Sequence, residues 1–310
     1  MKIQRLLPNL EKAPLPTAVY HYTDAGGLLG ILSSGVFWAT DYRYLNDSSE
    51  LKYIFGIASQ VIESQLRTTS HGPVTQAFLE YVSITPPPYD DTVYYICCFS
   101  EADNSLSQWR AYGSSQGFSI CVPGDVATAD YAALARRMPR PAGAPPPVFG
   151  QGQNPGISLL RVDYDPDVHA AYVTKLVEEL IALCEGAHMR SYASTQEAVS
   201  HITPFYFGQL ERASYRFKHP DFADEREWRL VSWGRHQEFF RVGATLTPYA
   251  KFRLFSVSHP KNNGLPLLAV RHGPTVLPDE TKLAMDRLLN SCGYPSDYCE
   301  RRGSDTPVRL

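Results

Sequence analysis

Between Val19 and Thr40 the chain spells a strand, a helix and a second strand in immediate succession, an order that neither an all-helical nor an all-β architecture accommodates. Val19-Tyr20-His21-Tyr22-Thr23 alternates as a short strand, Asp24 offers an N-cap, residues 27–34 have helical spacing, and Gly35 closes them. Val36-Phe37-Trp38-Ala39-Thr40 then reads as a buried strand. Further strand-like runs at 92–100, 117–122, 225–233, 253–258 and 267–271 are interleaved with helical runs at 51–66, 105–112, 167–184, 197–215 and 278–292. Asp47 with Glu50 fits the capping-box offset before the helix at 51. This intermingling predicts an α+β fold and one domain over residues 1–310. A Pro/Gly-rich insertion is expected at about 138–156, where Pro139, Pro141, Pro145, Pro146, Pro147, Gly150, Gly152 and Pro155 crowd together.

Composition narrows the classes. With 44% hydrophobic and 20% charged residues the chain is globular, not disordered. Its 29 Lys and Arg against 32 Asp and Glu, net -3, exclude a protein that holds nucleic acid by bulk positive charge, while leaving room for a local basic patch. No apolar run approaches the roughly 18 to 20 residues of a membrane helix, and residues 1–16 lack a signal-peptide core, so a cytoplasmic protein with no membrane partner is expected. The six cysteines show no paired spacing and no histidines at zinc-ligand intervals, so no metal is expected. Aromatic residues make 12% of the chain, which suits either a pocket for a flat ligand or Tyr-rich strands. Trp38, Phe99, Trp109 and Trp228 read as core.

Three places carry possible chemistry. On the strand around residues 225–231, alternation puts Glu225, Glu227 and Arg229 on one face and Trp228 and Leu230 on the other. That face is either an ordinary solvated ion-pair row or the wall of a cleft in which Glu227 stabilises a developing positive charge. His21, flanked by Tyr20, Tyr22 and Thr23, is either a satisfied structural histidine or a ligand contact. Tyr42 to Asp47 and Gln108 to Gly113 mix aromatics with Arg and amides, a combination that packs loops or stacks a ring; Tyr44 is the pocket candidate and Trp109 a core residue. Arg212, Arg216, Lys218, Arg226, Arg229, Arg235 and Arg241 form a basic region, yet interspersed acids would equally make it a balanced surface. No nucleophile elbow, zinc-protease helix or P-loop is present.

The order His21-Tyr22-Thr23, Gly35, Trp38-Ala39-Thr40, Tyr44-Leu45-Asn46-Asp47, Glu50, Cys98-Phe99-Ser100, Trp109 to Gly113, Gly117, Glu225-x-Glu227-Trp228-Arg229 and Gly273-Pro274 resembles a bacterial domain-of-unknown-function family, number 2971. The resemblance spans nearly the whole chain, departs from it at the Pro/Gly segment, and makes Arg309 in the closing pattern a candidate for a defined role. More distantly, a strand His followed by Thr, a Leu-rich helix and Gly, with a Glu on a late strand, is similar to ADP-ribosyltransferases of the His-Tyr-Glu and DNA-modifying toxin types.

That second resemblance implies a central split sheet flanked by helices, with NAD as co-substrate. It implies that His21 with Tyr22 and Thr23 holds a ribose of NAD, that Tyr44 with Asn46 meets the nicotinamide, that Arg229 belongs to the cofactor site, and that Glu227, assisted by Glu225, is catalytic. The expected activity is that of a transferase of the glycosyltransferase class, an ADP-ribosyltransferase acting on a nucleic acid or protein acceptor as a toxin or antiviral defence effector, with an antitoxin or chaperone partner. Two alternatives stay open: a non-catalytic module that senses a nucleotide or a phage component, and a metal-dependent nuclease using Glu225 and Glu227.

Overall fold

The computed structural model describes residues 13–45, 49–86, 94–113, 117–127, 156–186, 189, 191–233, 238–242, 246–254, 256 and 264–306. Asn46, the cap proposed at Asp47, Arg235, Arg309 and nearly all of the Pro/Gly insertion lie outside the described residues. In chain order the elements begin with β1 (Ala18–Asp24), α1 (Ala25–Ser34), β2 (Phe37–Asp41), α2 (Ser49–Thr68), α3 (Pro73–Ile84), β3 (Tyr94–Ser100), α4 (Leu106–Tyr112) and β4 (Gly117–Pro123). They continue with β5 (Gly156–Arg161), α5 (Pro166–Glu185), α6 (Thr195–Ser214), β6 (Glu227–Trp233), β7 (Phe239–Val242), β8 (Leu246–Phe252), β9 (Ala269–His272), α7 (Pro278–Ser291) and β10 (Glu300–Gly303). Packing divides them into a sheet unit (residues 14–45, 92–161 and 224–310) and a helical unit (residues 1–13, 46–91 and 162–223).

The sheet unit is one open mixed sheet in the order β10-β9-β4-β1-β3-β2-β8-β7, with β6 added to β3 and β5 to β6. Only β10 and β9 run parallel; all other pairs are antiparallel. The fold is therefore α+β, a single sheet flanked by the helices α1, α4 and α7. Its centre is β3, where β6 takes one whole edge from Tyr94↔Trp233 to Ser100↔Glu227. The other edge is shared: β1 meets it at Tyr20↔Ser100 and β2 at Thr40↔Ile96 and Asp41↔Tyr95. β1 and β2, joined by the ten-residue α1, run in the same direction and contact opposite ends of β3, which leaves the backbone around Cys98 between them.

Local chemistry explains α1 in detail. The Asp24 carboxylate accepts from Gly27 N at 2.7 Å and Gly35 closes the helix at φ 65°, a left-handed conformation that glycine adopts without the strain a Cβ brings. Leu28, Ile31 and Leu32 are the buried face of α1, which packs on β1 and β4. Near the same C-terminal end of β1, Trp109 of α4 lies edge-on to Tyr22 at 4.6 Å and rests on Gly117 and Gly273. A Cβ on Gly117 would meet Gly113 Cα at 2.6 Å and Trp109 Cε3 at 3.0 Å. Gly117→Ala is expected to cost about 1–3 kcal/mol by overpacking, read as a lower urea midpoint with an unchanged slope.

Several sequence expectations change here. No strand is found at the described residues 253, 254 and 256 of the range 253–258 where one is expected; the strand lies before it, as β8 (Leu246–Phe252), whose ladder with β2 ends at Phe37↔Phe252. Glu225 is not on β6: it closes the 3-10 turn Pro220–Glu225, and Arg226 at φ 44° reverses the chain before the strand starts at Glu227. Glu225 and Glu227 therefore do not share a strand face. Trp38 is not core but 38% exposed, whereas Phe99, Trp109 and Trp228 are buried.

The helical unit packs α2, α3, α5 and α6 around a core that includes Ile54, Phe78, Leu79, Leu176, Leu180, Ile202, Tyr206 and Leu210. Its polar centre is His169 at the start of α5. Nε2 contacts the Asp163 carbonyl at 3.0 Å and carboxylate at 3.2 Å, Nδ1 contacts the Tyr53 hydroxyl at 2.9 Å, and the ring stacks on Phe217 at 4.3 Å. Burial holds this imidazole below its ordinary value of 6.5, against the pull of Asp163. Below about pH 6.5 the unfolded chain protonates this histidine while the folded one resists. The stability it contributes at neutral pH is then lost as the pH falls from 6.5 toward its folded value. Stability is expected to fall as the pH is lowered through 6.5, measured by urea denaturation; a flat profile contradicts it. Among the described residues no helix is long and apolar enough to cross a membrane.

Candidate functional site

Arg226 is the hinge from which the site is built. Its positive φ is strained for a residue with a side chain, and the strain is held by bonds from the end of β3: Glu101 N donates to Arg226 O at 3.0 Å and Ser100 Oγ to Glu225 O at 2.7 Å. Ser100 Oγ in turn accepts from Ala102 N at 3.1 Å. The turn is thereby stapled to β3, and the first residue it delivers to the sheet is Glu227, opposite Ser100.

Glu227 and Arg229, two apart on β6, form a bidentate ion pair. Arg229 Nε donates to Oε1 at 2.8 Å and Nη2 to Oε2 at 2.9 Å, with the residues only 4% and 1% exposed. The planar guanidinium thus sets the orientation of the carboxylate. Cys98 faces Arg229 across the ladder, and burial, then the Glu227 charge, keeps its thiol well above the ordinary range. It is a packing residue, not a thiolate nucleophile.

Register carries this face across the sheet. Glu227 is opposite Ser100, and Ser100 is opposite Tyr20 of β1, so Tyr20, Ser100 and Glu227 form a row on one face, with neighbouring members about 5 Å apart. Tyr20 is half-buried, and burial raises its phenol above the ordinary value of 10.0, with Cys121 and Asp103 adding to the effect. Beyond it on the same face, Arg271 and Arg302 share the Asp103 carboxylate at 2.7 and 2.9 Å.

The other residues singled out in the sequence are placed elsewhere. His21 follows Tyr20, so its side chain lies on the opposite face from Glu227, between Phe37 and Phe99 at 5.2 and 5.6 Å. Its Nδ1 lies 2.8 Å from Cys98 O, filling the gap that β1 and β2 leave on β3, and burial lowers its basicity. His21 and Glu227 therefore meet the same residue, Cys98, from the two sides of the sheet. The Tyr22 hydroxyl is occupied, donating to Ala102 O at 2.6 Å and accepting from Ser105 N at 3.0 Å. Thr23 lies close against Gly27. Tyr44, 42% exposed, sits in the 3-10 turn Tyr42–Tyr44, whose Tyr42 ring packs on Tyr94 at the far end of β3 from Ser100. Six residues of strand, about 20 Å, separate those two ends. Tyr20 is the aromatic that the ladder puts in the same row as Glu227, with Ser100 between them. Strand alternation alone does not reveal it, because the link runs through β3.

Among the described residues no three His, Cys, Asp or Glu side chains are grouped to hold a metal ion. A family model described as a protein of unknown function (DUF2971) matches residues 108–230, a narrower stretch than the motif resemblance, and one that includes Glu227 and Arg229 but not Tyr20 or His21. No curated protein and no solved structure matches the chain.

Proposed function

We propose that the sheet face bearing Tyr20, Ser100, Glu227 and Arg229 receives the nicotinamide ribosyl end of NAD, and that the protein is an ADP-ribosyltransferase. The observation that carries the reading is the row Tyr20, Ser100, Glu227 across three adjacent strands, with the Glu227 carboxylate locked by Arg229. In such a transfer the bond between ribose C1 and the pyridinium nitrogen breaks, its electron pair returns to the ring, and nicotinamide leaves neutral. The sugar left behind is an oxocarbenium-like cation. A preoriented carboxylate lowers the energy of that cation without reorganising at the moment of reaction. Tyr20, in the place assigned to Tyr44 by resemblance, supplies a ring for the nicotinamide to lie against. His21 acts here as a positioning residue that holds the β3 backbone beside Glu227.

The test is incubation with NAD carrying separate labels on nicotinamide and adenosine, with RNA, DNA and protein acceptors supplied. Release of the first label and transfer of the second are expected; no nicotinamide release at any acceptor concentration overturns the reading. One observation favours a second reading, a nucleotide-binding module without turnover: Arg229 already compensates the Glu227 charge. Under that reading calorimetry shows NAD binding while both labels stay joined.

A further inference from the structure

We infer that the outer strands of the same sheet face, β2, β8 and β7, bind single-stranded nucleic acid by stacking a base on Trp38. Register places the residues: Trp38 is opposite Lys251, Thr40 opposite Tyr249, and Tyr249 opposite Phe239, all on the face that carries Glu227. The Trp38 and Tyr249 rings are stacked at 4.6 Å and 27°, and Phe239 continues the row at 5.7 Å and 32° from Tyr249. Tyr249 is buried beneath the stack, while Trp38 keeps 38% of its surface in solvent. Tyr249 covers one side of the indole, Gly30 of α1 lies near its Cζ2 edge, and the exposed remainder of the ring is what a further planar group would meet.

Two exposed cations flank the row. Lys251 Nζ stands 4.0 Å from the Phe239 ring centroid, and Arg241 Nη2 donates to Thr40 Oγ1 at 3.2 Å. Neither is paired with a described carboxylate. An aromatic platform with cations at its rim fits unpaired bases joined by phosphates. A duplex, whose bases are already stacked inside, cannot use it. From β2 to β7 the row crosses two strand spacings, about 10 Å, room for one or two nucleotides. The chain's net charge of -3 supplies no bulk attraction, so stacking carries the binding and its salt dependence is shallow.

The surface goes beyond the NAD reading and does not depend on it; only the role of the bound strand as the acceptor modified at Glu227 rests on that reading. The experiment is fluorescence anisotropy of labelled single-stranded RNA and DNA dodecamers, and of the matching duplex, with the full chain. Single strands are expected to bind at least tenfold tighter than the duplex, with a log-log salt slope of about -1.4 for two phosphate contacts. Trp38→Ala should weaken single-strand binding roughly 5- to 100-fold, and Trp38→Phe, which keeps a ring, much less. Lys251→Gln should flatten the salt slope by about 0.7, one of the two contacts. Equal affinity of Trp38→Ala and wild type overturns the inference, as does duplex binding as tight as single-strand binding, or no binding of either strand. Single-strand binding lost in Trp38→Ala but retained in Trp38→Phe supports it, whatever the outcome with NAD.

Discussion

Arg229→Leu is expected to destabilise the sheet unit by about 3 to 5 kcal/mol, the usual cost of removing one partner from a buried ion pair. Arg229 is the largest side chain among those buried almost completely, and its guanidinium makes both bonds to Glu227. Leucine would leave the buried Glu227 carboxylate without the guanidinium that balances its charge. In a unit of this size that corresponds to a fall of about 6 to 20 °C in Tm, read by calorimetry. Replacing both members together, as Glu227→Met with Arg229→Leu, should recover most of the loss, because the desolvated charge disappears with its partner. A loss below about 1 kcal/mol for the single variant would show that the pair is far more hydrated than its burial indicates.

Glu227→Gln is the complementary change, aimed at chemistry. The amide has the shape of the carboxylate and its carbonyl still accepts one Arg229 bond, so the fold should survive better than in Arg229→Leu. What it removes is the negative charge facing the sugar cation. Nicotinamide release is expected to fall about 100- to 1000-fold, with NAD affinity changed much less, since the lost interaction is made in the transition state. The check is single-turnover release at saturating NAD, alongside a melting curve showing that the variant is folded. Unchanged release by a folded Glu227→Gln protein removes Glu227 from the mechanism.

Local signals were read well where they are complete within a few residues. Asp24 and Gly35 delimit α1 as their chemistry requires, and the apolar spacing of residues 167–184 marks α5 within a residue at each end. α3 escapes notice although Pro73 after Gly72 is a start signal, because the run that follows is short and Pro86 soon draws attention to a turn. The hairpin of β7 and β8 is hidden by Pro248 and Lys251, which interrupt an apolar alternation, and β10 by Glu300, Arg301 and Arg302 in a four-residue strand. The site fared differently. The Glu227 and Arg229 pair is legible, since residues two apart on a strand share a face. Alternation alone puts Glu225 on the strand face, and one positive φ at Arg226 breaks that alternation. The relation of Tyr20 and His21 to Glu227 depends on the pairing of Tyr20 with Ser100, and no local pattern encodes which residues of distant strands become opposite.

The shared edge of β3 also has a bearing on how the chain comes to be folded. During synthesis the helical unit is complete at residue 223, when β1 to β5 exist but β6, β8 and β9, the partners of β3, β2 and β4, do not. At typical elongation rates those partners arrive over the following ten seconds or so. For that interval the edge of β3 that β6 later takes stays unpaired along Tyr94-Tyr95-Ile96-Cys97-Cys98-Phe99, an apolar segment of the kind that joins other nascent chains. The last third of translation is thus the period in which this protein most needs a chaperone, and slowing the ribosome there should lower its yield more than slowing it anywhere earlier.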